Sequence, residues 1–315
     1  MSYPLAAGVR NIGSATMRMI PELFSSKTIA KFYAKTVFGE IADTEYEGEI
    51  KKQGDVVHIP GTPNVTVRDH TKGAALIYER LVSTAVDLSI NKGKYWGFVI
   101  DDPDDVQTHI KNYVNKWAEA ASRELQVAID TEMLSVIPSL AHASNKGAAA
   151  GAKTASLDLG TDGGTALTLS KSDIVDKIML AEQALDEQNA PDEDRYIILP
   201  PWAKTRLNLS DLKDASLTGD AVSPIRNGKI AGVRIGKFMP YISNNLLVGA
   251  DGGSVACTNI IFGQKMGLTF ATQMLVNQMN IDDQNSFGKI NRGLQVYGYA
   301  GKKPEAIGVM FAKAA

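Results

Sequence analysis

Asp101-Asp102-Pro103-Asp104-Asp105, followed by Val106, Ile110, Tyr113, Val114, Trp117, Ala121, Leu125, Ile129 and Met133, is the stretch on which the fold turns. Asp102 suits a helix cap and Pro103 the first helical position, while the acids favour the positive end of a helix dipole. The apolar residues then recur at spacings of three and four, the period of one helix face. Neither Gly nor a further Pro interrupts them before Pro138. The pattern predicts one helix over 103–137, about 50 Å long at ~1.5 Å per residue. That exceeds the usual globular helix and reads as a beam crossing the molecule. A coiled coil is the rival, but fours outnumber threes and no strict heptad is sustained.

On its N-terminal side the chain reads as β. Tyr46, Gly48 and Ile50 alternate with Glu45, Glu47 and Glu49, and Val57 and Ile59 alternate with Val56 and His58. This is the two-residue period of a strand with one wet face. Pro60-Gly61-Thr62-Pro63 breaks the run, Val65 and Val67 resume it, and a return stretch sets Val86, Leu88 and Ile90 against Asp87, Ser89 and Asn91. Such strands are long, charged and poor in aromatics, and an isolated ribbon is marginal in water. A projecting hairpin that needs a partner surface is expected over 44–91. Residues 1–40 show weak periodicity, with an apolar patch at Met17, Met19, Ile20, Leu23 and Phe24.

Beyond the beam, 139–169 is rich in Ala, Gly, Ser and Thr and reads as a loop. Ser170 or Ser172 opens a second amphipathic helix with Ile174, Ile178, Ala181 and Leu185. Arg195-Tyr196-Ile197-Ile198-Leu199 has the pattern of a short buried strand. Pro201 and Trp202 start another helix reaching about Leu212, and 213–228 reads as a polar loop. From Lys229 to Met239, Ile230, Val233, Ile235 and Phe238 alternate around Gly232 and Gly236. Residues 255–313 read as short strands with Gly turns, ending in a hairpin-like pair at 294–300 and 306–312.

Composition narrows the function. The 315 residues suggest two lobes, or one domain with large excursions. Lys plus Arg, 33, nearly balances Asp plus Glu, 35, whereas a protein that neutralises phosphates carries a basic excess. The lone Cys257 excludes an intramolecular disulfide and any multi-cysteine metal site. No stretch approaches the ~18 apolar residues of a membrane span, and the N-terminus lacks the basic-then-apolar build of a secretory signal. No membrane partner and synthesis in a cytoplasm are therefore expected.

Catalytic and cofactor motifs fail on spacing. Gly147-Ala148-Ala149-Ala150-Gly151-Ala152-Lys153-Thr154 has three residues between its glycines where a phosphate loop has four, and Ala152 displaces the lysine. Asp158-Leu159-Gly160-Thr161-Asp162-Gly163 starts like a calcium loop, but its twelfth position is Leu169 instead of Glu. His58, His70, His109 and His142 lack zinc spacing, and no Gly-x-Ser-x-Gly elbow occurs. The acids at Asp186-Glu187 and Asp192-Glu193-Asp194 read as a solvated helix end and turn. No catalytic residue, cofactor or metal is expected.

Several strings, in order, resemble the tailed-phage major capsid proteins of the Hong Kong 97-like fold. They are Glu45-Tyr46-Glu47-Gly48-Glu49-Ile50 with Gly54-Asp55-Val56-Val57-His58-Ile59-Pro60, the beam at 103–137, and the strand and helix at 195–201. Asn227-Gly228-Lys229-Ile230-Ala231-Gly232 leading to Tyr241-Ile242-Ser243-Asn244-Asn245-Leu246 continues the likeness. Gly293-Leu294-Gln295-Val296-Tyr297-Gly298-Tyr299 through Pro304-Glu305-Ala306-Ile307-Gly308-Val309 completes it. The resemblance implies an α+β fold with an N-terminal arm (1–43) and an extended β-hairpin loop (44–100). A long spine helix with part of the peripheral domain (101–170), an axial domain (171–255) and C-terminal strands returning to the peripheral domain (256–315) would follow. It implies a virion subunit, assembled in the bacterial cytoplasm into pentamers, hexamers and an icosahedral shell. It further implies a separate scaffolding protein, a portal, and packaged double-stranded DNA held without sequence-specific binding. The candidate inter-subunit contacts are the hairpin charges: Glu45, Glu47, Glu49, Lys51, Lys52, Arg68, Lys72 and Arg80. An encapsulin-type compartment shell is the alternative within the same fold, and an unrecognised α/β enzyme the alternative outside it.

Overall fold

The computed structural model describes residues 34–45, 56–63, 65–73, 75–102, 113–210, 234–251, 255–283 and 287–315. A short helix α1 (Phe38–Ile41) precedes an antiparallel hairpin of β1 (Val56–Pro60) and β2 (Ala85–Ser89), in which His58 stands opposite Asp87. Strand β3 (Lys92–Asp101) leads towards the long helix α2 (Tyr113–Leu140). Then come β4 (Leu167–Leu169), α3 (Ile174–Glu187), β5 (Arg195–Leu199) and α4 (Pro201–Asn208). The C-terminal part holds β6 (Met239–Ile242), β7 (Val248–Asp251), β8 (Val255–Gln264), β9 (Leu268–Asp282), β10 (Gly288–Gly301) and β11 (Ile307–Ala314).

Two larger sheets result. A six-stranded sheet has the order β4-β11-β8-β5-β6, with β7 pairing β8 off this path, and a three-stranded sheet has the order β3-β10-β9. All of β5 is buried because both faces of its sheet are covered. On one face Ile197, Leu199, Ile260, Phe262 and Met310 pack with Ile178 and Leu185 of α3 and Leu207 of α4. On the other, Tyr196, Ile198, Ile261 and Val309 meet Leu125, Ile129, Met133, Leu134 and Ile137 of α2. Phe270 and Tyr297 of the three-stranded sheet join this second core. The helix therefore bridges both sheets, as a beam should. Its apolar residues at 125, 129 and 133 supply the seam the spacing predicts, and no break occurs near Trp117.

The beam differs from expectation at its ends. Residues 103–112, where it was expected to start, lie outside the described residues, and α2 continues through Pro138 to Leu140. A proline in the last turn removes one backbone donor without having to sustain further turns. The helix from Pro201 ends at Asn208 rather than near Leu212. Residues 229–233 lie outside the described residues, while Ile235 and Phe238 bridge across a tight turn before β6.

The C-terminal strands correct the sequence reading most. They are long, with 10 residues in β8, 15 in β9 and 14 in β10. The segments at 294–300 and 306–312 do not pair as a hairpin. Strand β10 pairs with β3 and β9, whereas β11 pairs with β8 and β4. The turn between them docks instead: the amides of Lys302 and Lys303 donate to Gly267 O, and His142 N donates to Pro304 O. A Gly-Lys-Lys-Pro turn carries the chain from one sheet to the other as readily as it closes a hairpin. Local sequence cannot distinguish the two. Val65 and Val67 also form no strand.

Candidate assembly interface

The hairpin has a rooted half and an outer half. At the root, Ile59, Leu88 and Ile90 are buried with Ala271 and pack against Val57, Val296 and Ala300. Gly298 permits this docking, since a Cβ there would lie 2.3 Å from Ser89 O. Across the hairpin, His58 Nδ1 stands 2.6 Å from Asp87 Oδ1 on an exposed face. The out-and-back path closes where Gly61 N donates to Thr84 O at 2.7 Å.

Beyond that point no described residue between Gly61 and Thr84 belongs to a strand, and apolar side chains face solvent. Val67 is 94% exposed, Tyr78 85% and Val82 82%, and Val65, Leu76, Ile77 and Leu81 are exposed with them. A cluster of exposed apolar residues marks an interaction surface in a soluble protein. The polar contacts here are local. Thr66 N donates to Glu79 Oε1 at 2.7 Å, and Arg68 Nη2 lies 3.9 Å from Glu79 Oε2.

Among the candidate contact residues, Arg68, Lys72 and Arg80 all lie on this outer half and are exposed. Glu45 is also exposed, but it sits beside the body, its amide donating to Asp43 Oδ1 at 3.1 Å. Glu47, Glu49, Lys51 and Lys52 lie outside the described residues. The structure therefore groups three of the eight and sets Glu45 apart from them.

Two acids of α2 that the sequence reading passed over hold the body together. Asp130 is fully buried; its Oδ1 accepts from the amides of Val37 and Phe38, both at 2.9 Å, and its Oδ2 from Asn245 Nδ2 at 2.6 Å. It ties the start of α1 and the loop after β6 to the helix. Glu132 accepts from Lys92 Nζ at 2.6 Å, Lys94 Nζ at 2.7 Å and Tyr297 OH at 2.9 Å, tying α2 to β3 and β10. Burial pushes its carboxyl up, but the hydrogen bonds from Lys92, Lys94 and Tyr297 outweigh this and hold it at about 2. The one sequence signal was an acid, Asp130, beside Ile129 on the apolar seam.

The rejected motifs have structural roles. Amides of the phosphate-loop-like string are taken by Glu187 of α3, whose Oε2 accepts from Lys153 N at 2.8 Å and Thr154 N at 3.0 Å. These backbone bonds, first from Thr154 and then Lys153, hold its carboxyl down at about 2. Asp158 Oδ1 caps its own turn by accepting from Gly160 N. Cys257 is buried. Among the described residues, no three His, Cys, Asp or Glu gather in a metal-sized cluster, and no described helix is long and apolar enough to cross a membrane.

Residues 87–310 match the family model described as phage capsid protein. No curated protein matches the chain. A solved structure from Mycobacterium phage Che8 is 26% identical, covers 92% of this chain and 96% of its own, and superposes with a TM-score of 0.72. The capsid of Cyanophage P-SCSP1u is 15% identical with a TM-score of 0.66, covering 94% of each chain. The capsid asymmetric unit of Cyanophage Pam1 is 12% identical with a TM-score of 0.68, covering 99% of this chain and 100% of its own.

Proposed function

The chain belongs to the phage capsid protein family, and on that premise we propose how its copies hold one another. It is a major capsid protein with the Hong Kong 97-like fold, a structural subunit rather than an enzyme, whose copies self-assemble into the icosahedral shell of the virion. Residues 44–100 are its extended loop, and the outer half of that loop is the arm by which one subunit grips the next. The supporting observation is the sharp change along the hairpin, from Leu88 fully buried at the root to Val67 94% exposed beyond it.

Arg68, Lys72 and Arg80, with Glu45, Glu47, Glu49, Lys51 and Lys52, set the register between neighbours. Exposed ion pairs are worth about 0–1 kcal/mol each and are screened by salt. Repetition at every contact of a shell makes so small a gain decisive. Residues 1–43 serve as an arm, 101–170 as the spine helix with part of the peripheral domain, 171–255 as the axial domain, and 256–315 as strands returning to the peripheral domain. The subunits form pentamers and hexamers with the help of a separate scaffolding protein and a portal. The shell contains double-stranded DNA without sequence-specific binding, a role suited to a formal charge of -2.

Limited proteolysis tests the grip. Free subunits are cut between residues 61 and 84, and assembled shells resist at the same sites. Equal protection in both forms would show that the loop folds onto its own subunit.

A further inference from the structure

Strands β8 and β11 pair so that Asn259 stands opposite Phe311 and Ile261 opposite Val309. Ile261 and Val309 pack with Leu134 and Ile137 of α2. Residues two apart on a strand share a face, so Asn259 projects to the α2 side as well. There, where the helix approaches its end at Pro138, a cavity of about 430 Å³ opens, with Asn259, Val309 and Phe311 among its walls. Its size falls within the roughly 300–1,000 Å³ of small-ligand pockets. Backbone bonds hold the surrounding loops in place. Asn259 N donates to Leu247 O at 3.0 Å, Phe311 N to Leu159 O at 2.9 Å and Leu159 N to Gly147 O at 3.0 Å.

Asn259 is fully buried, yet neither its Oδ1 nor its Nδ2 has a hydrogen-bond partner among the described residues. Buried polar groups are as a rule paired, and leaving them unpaired costs stability. The side chain presents a donor and an acceptor side by side. In an extended chain the N–H and C=O of one residue also point the same way, which is how antiparallel strands exchange both bonds. One extended residue therefore meets both atoms of Asn259 at once. Pro138, Leu247 and Val309 line the cavity with aliphatic surface for that residue's side chain. The cavity's two charges, Lys146 and Asp162, are of opposite sign, which disfavours an ion of either sign. A nucleobase also matches an amide edge, but Asp162 repels the phosphates of a nucleotide as Lys146 draws them.

We propose that the cavity between the end of α2 and the β8–β11 pair binds an extended peptide segment of another protein chain through one aliphatic residue. Asn259 Nδ2 donates to that residue's carbonyl and Oδ1 accepts from its N–H, while its side chain lies against Pro138, Leu247 and Val309. Asn259 is then a binding residue that the free subunit carries at a cost in stability.

Saturation-transfer NMR on the unassembled full chain tests it, with N-acetyl-leucine methylamide as the probe. Saturation should reach the leucine methyl groups of the probe. Asn259→Val should weaken probe binding about tenfold, the loss of two hydrogen bonds. It should also melt at or above the wild-type temperature, because it removes two unpaired buried atoms. On wild-type protein, the probe analogue with an ester oxygen in place of the leucine N–H should bind more weakly than the probe, and adenosine should not displace the probe. No transfer to the probe, or equal binding by probe and ester, would overturn the proposal without recourse to any variant. Undiminished binding by Asn259→Val would remove the amide from the site. A lower melting temperature for that variant would show that the amide is paired within the subunit. Displacement by adenosine would assign the cavity to nucleobases instead.

Discussion

Leu88 and Val67 belong to the same out-and-back excursion of the chain, yet Leu88 is fully buried and Val67 almost wholly exposed. The difference lies in what each half is laid upon. The rooted half rests on β10, where Gly298 lets the Ser89 carbonyl approach. The outer half forms no strand among the described residues, and its apolar side chains stay in solvent. The body, by contrast, covers both sides of its six-stranded sheet and threads α2 through the second core. One chain thus holds a region packed on both sides of its sheet and a region whose apolar side chains are left exposed. Substitutions in the two should separate: those in the body act on the subunit, and those in the outer loop act on the shell.

The largest expected effect is Ala121→Pro. A proline in the interior of α2 breaks the beam both sheets lean on, at about 3 kcal/mol or more, and should leave the subunit insoluble. A soluble variant with wild-type circular dichroism would remove α2 from its central place. Asp130→Ala comes next. It strands the amides of Val37 and Phe38 and the Asn245 side chain in the interior, at about 2–3 kcal/mol. Urea unfolding should show that loss, and hydrogen exchange should quicken at the two amides first.

Leu88→Ala tests the boundary between the regions. The cluster it leaves is small, so a cost near the low end for a buried leucine, about 2 kcal/mol, is expected. Greater loss in shell stability than in subunit stability would move the boundary towards the root. Smaller again is the effect of acid on the Glu132 contact. Its folded-state pKa is depressed from 4.5 to about 2. Its stabilisation is therefore present above pH 4.5 and lost as pH falls from there towards 2. A Glu132→Gln subunit should be less stable than wild type at pH 7, and the gap should narrow steadily across that window. The smallest effect on the subunit belongs to Val67→Ser, within about 0.5 kcal/mol by thermal melting. The same variant should impair assembly, and normal assembly would return the outer loop to mere solvation.

Much of this arrangement was legible from residue order. Fours and threes from Val114 to Met133 marked the beam, the unbroken Tyr196-Ile197-Ile198-Leu199 run marked a strand covered on both faces, and Pro201 marked the following helix. The alternation at Val56-Val57-His58-Ile59 marked one strand of the hairpin, while the one expected at 46–50 lies outside the described residues. Two things were not legible. Asp130 and Glu132 look like ordinary solvated acids on a helix, because their partners at Val37, Asn245 and Lys92 are far away in sequence. The turn at Lys302-Lys303-Pro304 looks like the end of a hairpin, because turn chemistry is the same whether the next strand returns or departs.

Periodicity, caps and turn residues act within a few residues of one another, so the sequence by itself determined which segments are helix or strand and which faces are apolar. Only the tertiary structure decided which strands share a sheet, sending β10 to β3 and β9 while β11 joined β8. It also decided which apolar residues go unburied. Pairing and burial depend on what else occupies the space beside a segment. Leu76, Ile77, Tyr78, Leu81 and Val82 are left exposed by the described residues of their own subunit.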